Sequence, residues 1–138
     1  MDKEYFDSLA KVRLERAKEL LEEAIELLSK GSYKSANNRA FYAIEKSVKA
    51  LLALKQMEVA THNGALKQFN FLYVYQGDGT FTTEDYQLIA RAEQIRNVSD
   101  YDDFYIASKE ETNVQVENAK YMVEKTTIYL EKNIAVSN

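Results

Sequence analysis

Arg39, Tyr42 and Lys46 follow one another at spacings of three and four, which places them on one face if the segment around them is helical. A guanidinium fork, a phenol and an ammonium in one stripe supply the donors that hold an anionic ligand. The same arginine would serve equally in a salt bridge to a carboxylate, and ion-pair networks commonly resemble sites. The structural salt bridge is therefore the preferred reading of Arg39. Asp100, Asp102 and Asp103 crowd four positions and could offer oxygen ligands to a divalent cation. No glycine-punctuated calcium loop accompanies them, so a solvated acidic loop is preferred and no metal is expected. His62 follows Thr61 at the start of a short segment, where an imidazole binds a ligand, bonds a neighbouring loop or faces water. A catalytic role needs partners whose positions the sequence does not fix, so His62 is read as structural.

The negatives are as informative. A single histidine and no cysteine exclude histidine-rich metal sites, thiol nucleophiles and disulfide frameworks. No glycine-rich phosphate loop or dinucleotide fingerprint is present, and no cofactor is expected. The 18 basic residues are scattered among 22 acidic ones for a net charge of -4, which leaves no broad electrostatic footprint for nucleic acid, only room for a local basic cleft.

These side chains must be positioned by helices. Proline is absent and there are four glycines, so the strongest helix breakers are missing from nearly the whole chain. Ala10, Leu14, Ala17, Leu21, Ala24 and Leu28 form one helical stripe that Gly31 ends in the C′ role. Ser32 is placed to cap a second helix reaching about Gln56, apolar around most of its circumference and therefore central. Thr61 to Tyr75 is read as a shorter helix: its aromatic alternation also fits a strand, but no partner strand is visible. Thr82 is a cap for a fourth helix expected to end near Asn97, with Arg96 complementing the dipole at its C-terminus. Asp100 to Ala107 is expected as a loop. Ser108 and Glu111 have capping-box spacing ahead of a last helix striped by Val116, Ala119, Val123, Thr126 and Leu130. The expectation is an all-α bundle of four to five helices forming a single domain over residues 1–138. The charged opening residues Asp2, Lys3 and Glu4, and the lack of an apolar run of roughly 20 residues, predict a soluble, cytoplasmic protein with no membrane association.

The chain resembles the HEPN family, the nucleotide-binding domain of higher eukaryotes and prokaryotes, and in particular its small stand-alone prokaryotic members. The resemblance rests on Asn38-Arg39-Ala40-Phe41-Tyr42-Ala43-Ile44 followed by Lys49-Ala50-Leu51-Leu52, on Thr61-His62-Asn63-Gly64, and on Ile95-Arg96-Asn97 leading into Asp100-Tyr101-Asp102-Asp103-Phe104. It implies an up-and-down bundle, a homodimer with a shared cleft, and a toxin-antitoxin or defence setting with a nucleotidyltransferase antitoxin as partner. Many family members are metal-independent ribonucleases whose motif is Arg, a polar residue, then His after four to six intervening positions.

Arg96-Asn97 fits the start of that motif, but the histidine position falls on Tyr101, Asp102 or Asp103. Cleavage through a 2′-hydroxyl needs a base near neutral pKa and a cation to stabilise the phosphorane. A tyrosine, with a reference pKa of about 10, is ionised to about one part in a thousand at neutral pH. The resemblance therefore implies RNA or nucleotide binding by Arg96 and Asn97, joined by Arg39, Tyr42 and Lys46, with Arg96, Tyr101 and Asp100 as the catalytic set if RNA is cleaved. It also implies Tyr101 or Tyr105 as acceptor of a modification by the partner, and it leaves a non-catalytic adaptor module as the alternative.

Overall fold

The computed structural model describes residues 2–134 and consists of α1 (Asp2–Ser29), α2 (Tyr33–Leu54), α3 (His62–Phe69) running on into a π-helical segment (Asn70–Tyr75), α4 (Thr83–Tyr101) and α5 (Lys109–Asn133). No strand occurs among the described residues, and the all-α bundle expected from the sequence is the fold.

The first two helices form an antiparallel hairpin. Gly31 sits at φ +77°, in the left-handed region, and the Ser32 and Gly31 N–H groups donate to the Leu27 and Leu28 carbonyls at 2.9 and 3.0 Å. This is a Schellman closure, and it leaves Ser32 at the N-cap of α2 without a side-chain cap bond. Arg13 bonds the Lys49 carbonyl and Glu23 pairs with Arg39, contacts equidistant from Gly31, as an antiparallel register requires. Ala10, Ala17 and Ala24 on α1, and Ala36, Ala40, Ala43 and Ala50 on α2, are fully buried, so the two backbones approach closely.

α2 is the central element: thirteen of its 22 residues are buried, and it packs against each of the other four helices. It ends at Leu54, two residues short of the expected boundary. The reason is a second Schellman closure, in which Gln56 at φ 58° donates to Ala53 and Met57 donates to Leu52. Gln56 occupies the position that glycine usually fills.

The Thr61 to Tyr75 segment is helical, as expected, with a π register in its second half. Phe69, Tyr73, Phe81 and Tyr129 pin it beneath α2 and α5, with ring centroids 5.4 to 5.8 Å apart. The Tyr73 hydroxyl donates to the Leu51 carbonyl, and burial pushes its phenol pKa far above the ordinary value.

α4 opens with a full capping box between Thr82 and Asp85. The Asp85 carboxylate also accepts from Tyr121 Oη at 2.6 Å and Lys125 Nζ at 2.8 Å, which ties the start of α4 to α5. Burial opposes the charge on Asp85, but the bonds from Lys125, Tyr121 and Thr82 outweigh it and lower its pKa. Burial likewise opposes the Lys125 ammonium, and its bonds to Asp85 and Tyr121 raise its pKa.

At its other end α4 continues through Tyr101, a full turn past the expected stop at Asn97, because Asp100 pairs with Arg96 one turn back and Ser99 is buried. The expected loop from Asp100 therefore starts after Tyr101, and Arg96 lies inside the helix. At α5, Ser108 accepts from the Glu111 N–H, but the Glu111 carboxylate takes the Tyr105 hydroxyl, so only half of the expected capping box forms.

Two stability measurements follow from this packing. The lowered Asp85 pKa means its contribution is complete above the unfolded value of about 3.9 and is lost as pH falls through the folded one; the raised Lys125 pKa makes its contribution complete below about 10.4. Asp85→Asn should cost about 1–3 kcal/mol in urea unfolding at pH 7, with the difference from wild type shrinking below about pH 4. A difference constant from pH 7 to pH 2 would contradict this role. Gln56→Gly relieves the left-handed strain and should raise stability by about 1 kcal/mol; a lower melting temperature would exclude strain at that turn.

Candidate functional site

α2 and α4 pack so that Phe41 and Tyr42 lie opposite Arg96, while Ile44, Val48 and Ile89 line one cleft between the helices. Arg96 spans the two helices. Its Nη2 donates to Tyr42 Oη at 3.1 Å, its Nη1 donates to Asn97 Oδ1 at 3.4 Å, and its Nε lies 3.1 Å from Asp100 Oδ2 as an ion pair. The guanidinium carbon stands 5.6 Å from the Phe41 ring centroid and 5.9 Å from that of Tyr42, within cation–π range. The side chain is only 15% exposed. Burial by itself would lower the guanidinium pKa, but the Tyr42 bond, with the nearby Tyr42, Asp100 and Tyr101, raises it. Two of its N–H groups make hydrogen bonds, to Tyr42 and Asn97, while the buried Nε is close to Asp100 but makes no hydrogen bond.

His62 reaches the same place from a third direction. Thr61 caps α3 by accepting from the Gly64 N–H, which fixes His62 at the helix start. Its Nδ1 pairs with Glu45 Oε2, and its ring meets the edge of Phe41 at 5.4 Å between centroids. Glu45 is 8% exposed and has Lys49 Nζ at 3.8 Å. Phe41, Glu45, His62 and Glu93 line a small cleft of about 20 Å³, room for one water molecule. Glu93 is buried, three residues before Arg96 on the same face of α4.

The residues singled out from sequence divide between two sides of α2. Tyr42 joins Arg96, Asn97 and Asp100. Arg39 instead pairs with Glu23 of α1 at 2.9 Å and bonds Asn38, the salt bridge preferred from sequence. Lys46 lies among Lys49, Arg13 and Arg16; burial, then those cations, lower its pKa. Arg39, Tyr42 and Lys46 therefore do not converge. At about 100° per residue, Arg39 and Lys46 nearly coincide in direction while Tyr42 is turned about 40–60° away, enough to face a different helix. Tyr101 is 78% exposed at the end of α4, and Tyr105 is half-buried against Glu111. Asp102 accepts from the Phe104 N–H in a local turn. No group of three His, Asp or Glu side chains among the described residues is placed to hold a metal.

Sequence reasoning did not bring Phe41, Glu45 and Glu93 into the site. A usable signal was present: Glu45 interrupts the apolar run of the most buried helix, and such a carboxylate requires a partner. Asn37, one turn before Phe41, is 4% exposed and its amide finds no hydrogen-bond partner among the described residues.

Comparison with known proteins bears on the whole bundle. The chain is 30% identical over 135 residues to a Methanocaldococcus jannaschii protein named "Putative toxin", covering 97% of this chain and 90% of that one. A second protein of that organism with the same name is 35% identical over 89 residues, 64% of either chain. A "UPF0332 protein" of Thermotoga maritima is 40% identical over 62 residues, 45% of this chain and 47% of its own. The HEPN domain pattern matches residues 10–129, from the first buried alanine of α1 to the tyrosine that α5 adds to the aromatic cluster. On that span and this all-helical fold, the chain belongs to the HEPN domain family.

Proposed function

We propose that this HEPN protein acts in a prokaryotic toxin-antitoxin or defence-type system and binds RNA or nucleotide by its phosphate at the Arg96 cleft. The observation that carries the reading is Arg96 itself. Its guanidinium is held by rings and hydrogen bonds on α2 and α4, stays cationic, and keeps 15% of its side chain exposed. A fork immobilised in this way loses little further rotamer freedom when it binds a phosphate. Tyr101, exposed one turn beyond, offers a stacking face for a base. Asp100 opposes an anion by charge, so a phosphate must share the guanidinium with it or displace it. The names of the two archaeal relatives support the toxin setting.

A second reading, a non-catalytic homodimeric module that docks on a nucleotidyltransferase, is favoured by one feature. Phe104 is 93% exposed, and Ile106 beside it is similarly uncovered. Adjacent apolar side chains left open to solvent commonly mark a protein contact.

Fluorescence anisotropy with labelled single-stranded RNA at fixed salt tests the first reading. Arg96→Ala should weaken binding by roughly 10- to 100-fold, since a charge-assisted contact is worth about 1.5–3 kcal/mol. Arg96→Lys should fall between, because it keeps the charge without the fork. Equal affinity in all three proteins, together with unchanged toxicity of Arg96→Ala on overexpression, would remove the RNA reading and leave docking as the function to pursue.

A further inference from the structure

We propose that Lys46 is a modification site, an amine that takes an acyl group from acyl phosphates ahead of the unpaired lysines elsewhere on the chain. The site lies apart from the Arg96 cleft and does not depend on RNA binding there. A lysine attacks a carbonyl only as the neutral amine, and cationic neighbours favour that form. The same neighbours draw in an anionic donor. Lys46 has such neighbours on both of the helices that flank it.

The α1–α2 hairpin brings the cations together. Arg13 bonds the Lys49 carbonyl at 3.2 Å and Arg39 pairs with Glu23 at 2.9 Å, which sets the register of the two helices. In that register Lys46 and Arg16 are equidistant from Gly31 and lie opposite one another. Arg13 is one turn from Arg16 on α1, and Lys49 is one turn from Lys46 on α2. Three of these four cations have carboxylates of their own: Arg13 pairs with Glu58 at 2.8 Å, Arg16 with Glu19 and Glu23 at 3.3 and 3.4 Å, and Lys49 stands 3.8 Å from Glu45. Lys46 makes no ion pair or hydrogen bond among the described residues. One turn away on its own helix are Tyr42, Ala43, Lys49 and Ala50, none of them acidic.

The Lys46 side chain is half-buried, yet its Nζ reaches solvent. Burial, followed by Lys49, Arg13 and Arg16, lowers its pKa, so more of the neutral amine is present at a given pH. Lys3, Lys18, Lys30 and Lys125 differ in kind, each holding a carboxylate at 2.7 to 3.3 Å. Lys34 is exposed and makes no ion pair among the described residues, but it lacks the surrounding cations and serves as the internal reference.

In the step itself, the neutral Lys46 nitrogen bonds to the carbonyl carbon of the acyl phosphate, and the bond from that carbon to the phosphate oxygen breaks. Phosphate leaves with the electron pair, and the nitrogen gives up its proton to solvent. The product is an uncharged amide, and nothing is oxidised or reduced. Removing the charge also ends the repulsion of Lys46 by Arg13, Arg16 and Lys49, so the fold favours the modified side chain.

The test incubates the full chain with acetyl phosphate at about pH 8 and follows acetylation of each lysine by peptide mass spectrometry. Lys46 should react at least about threefold faster than Lys34. Arg16→Gln, at an exposed position, should cut the Lys46 rate about two- to fivefold and leave Lys34 unchanged. Raising salt from about 0.02 M to about 0.5 M should shrink the Lys46 advantage in wild type, which reads the same cluster without a variant. With p-nitrophenyl acetate, an uncharged donor, the advantage of Lys46 should be smaller than with acetyl phosphate. A Lys46 rate within about twofold of Lys34 overturns the proposal. So does an advantage that survives both high salt and Arg16→Gln in a variant folded by circular dichroism, and an advantage equal for the two donors overturns the preference for acyl phosphates.

Discussion

Burial of α2 on nearly all sides is the constraint from which the rest of the molecule follows. A helix at the centre of a bundle leaves few polar side chains to water, and apart from Asn37 and Ser47 its main polar groups find partners on a neighbour. Tyr42 finds Arg96 of α4, Glu45 finds His62 of α3, and Arg39 finds Glu23 of α1. These contacts fix how the neighbours sit around α2. They also gather a guanidinium, an imidazole and two carboxylates around one phenyl ring. The site is thus a product of the same requirement that organises the fold, and Phe41 links its two halves.

Much of the scaffold was legible because it is written in local rules. The alanine and leucine stripe of α1, the glycine at its end, and the Thr82 and Ser108 caps each depend on residues within a few positions of one another. The misplaced boundaries have specific causes. Gln56 adopts a left-handed conformation that its side chain gives no reason to expect, so α2 stops early. The Arg96–Asp100 pair and buried Ser99 prolong α4 past a segment that reads as a polar loop. Glu111 abandons its capping box for Tyr105, a partner that only the folded loop presents.

The site was less legible because its contacts are long-range. Arg96 and Tyr42 are 54 residues apart in the chain, and no periodicity joins them. The resemblance to the family drew attention to Arg96, and the packing supplied its surroundings. Spacing on α2 misled in an instructive way: three polar residues at helical intervals were read as one face, although a turn of 40–60° is enough to send Tyr42 to one neighbour and Arg39 and Lys46 to another. In a helix surrounded by partners, a stripe must be resolved more finely than in one with a single buried side.

The charge balance limits how the proposed RNA site could work. With a net charge of -4 and one exposed-edge guanidinium at the cleft, few phosphates can be neutralised at once. Counterion release scales with that number, at about 0.7 per phosphate for single strands, so its contribution to affinity here is small. Binding of the proposed kind would have to draw instead on short-range terms: the Arg96 guanidinium and stacking on Tyr101. Such terms act over one or two nucleotides rather than along a strand. Selectivity would then come from the conformation that presents one phosphate to Arg96 and a neighbouring base to Tyr101, a geometry more accessible to an unpaired, flexible segment than to a duplex.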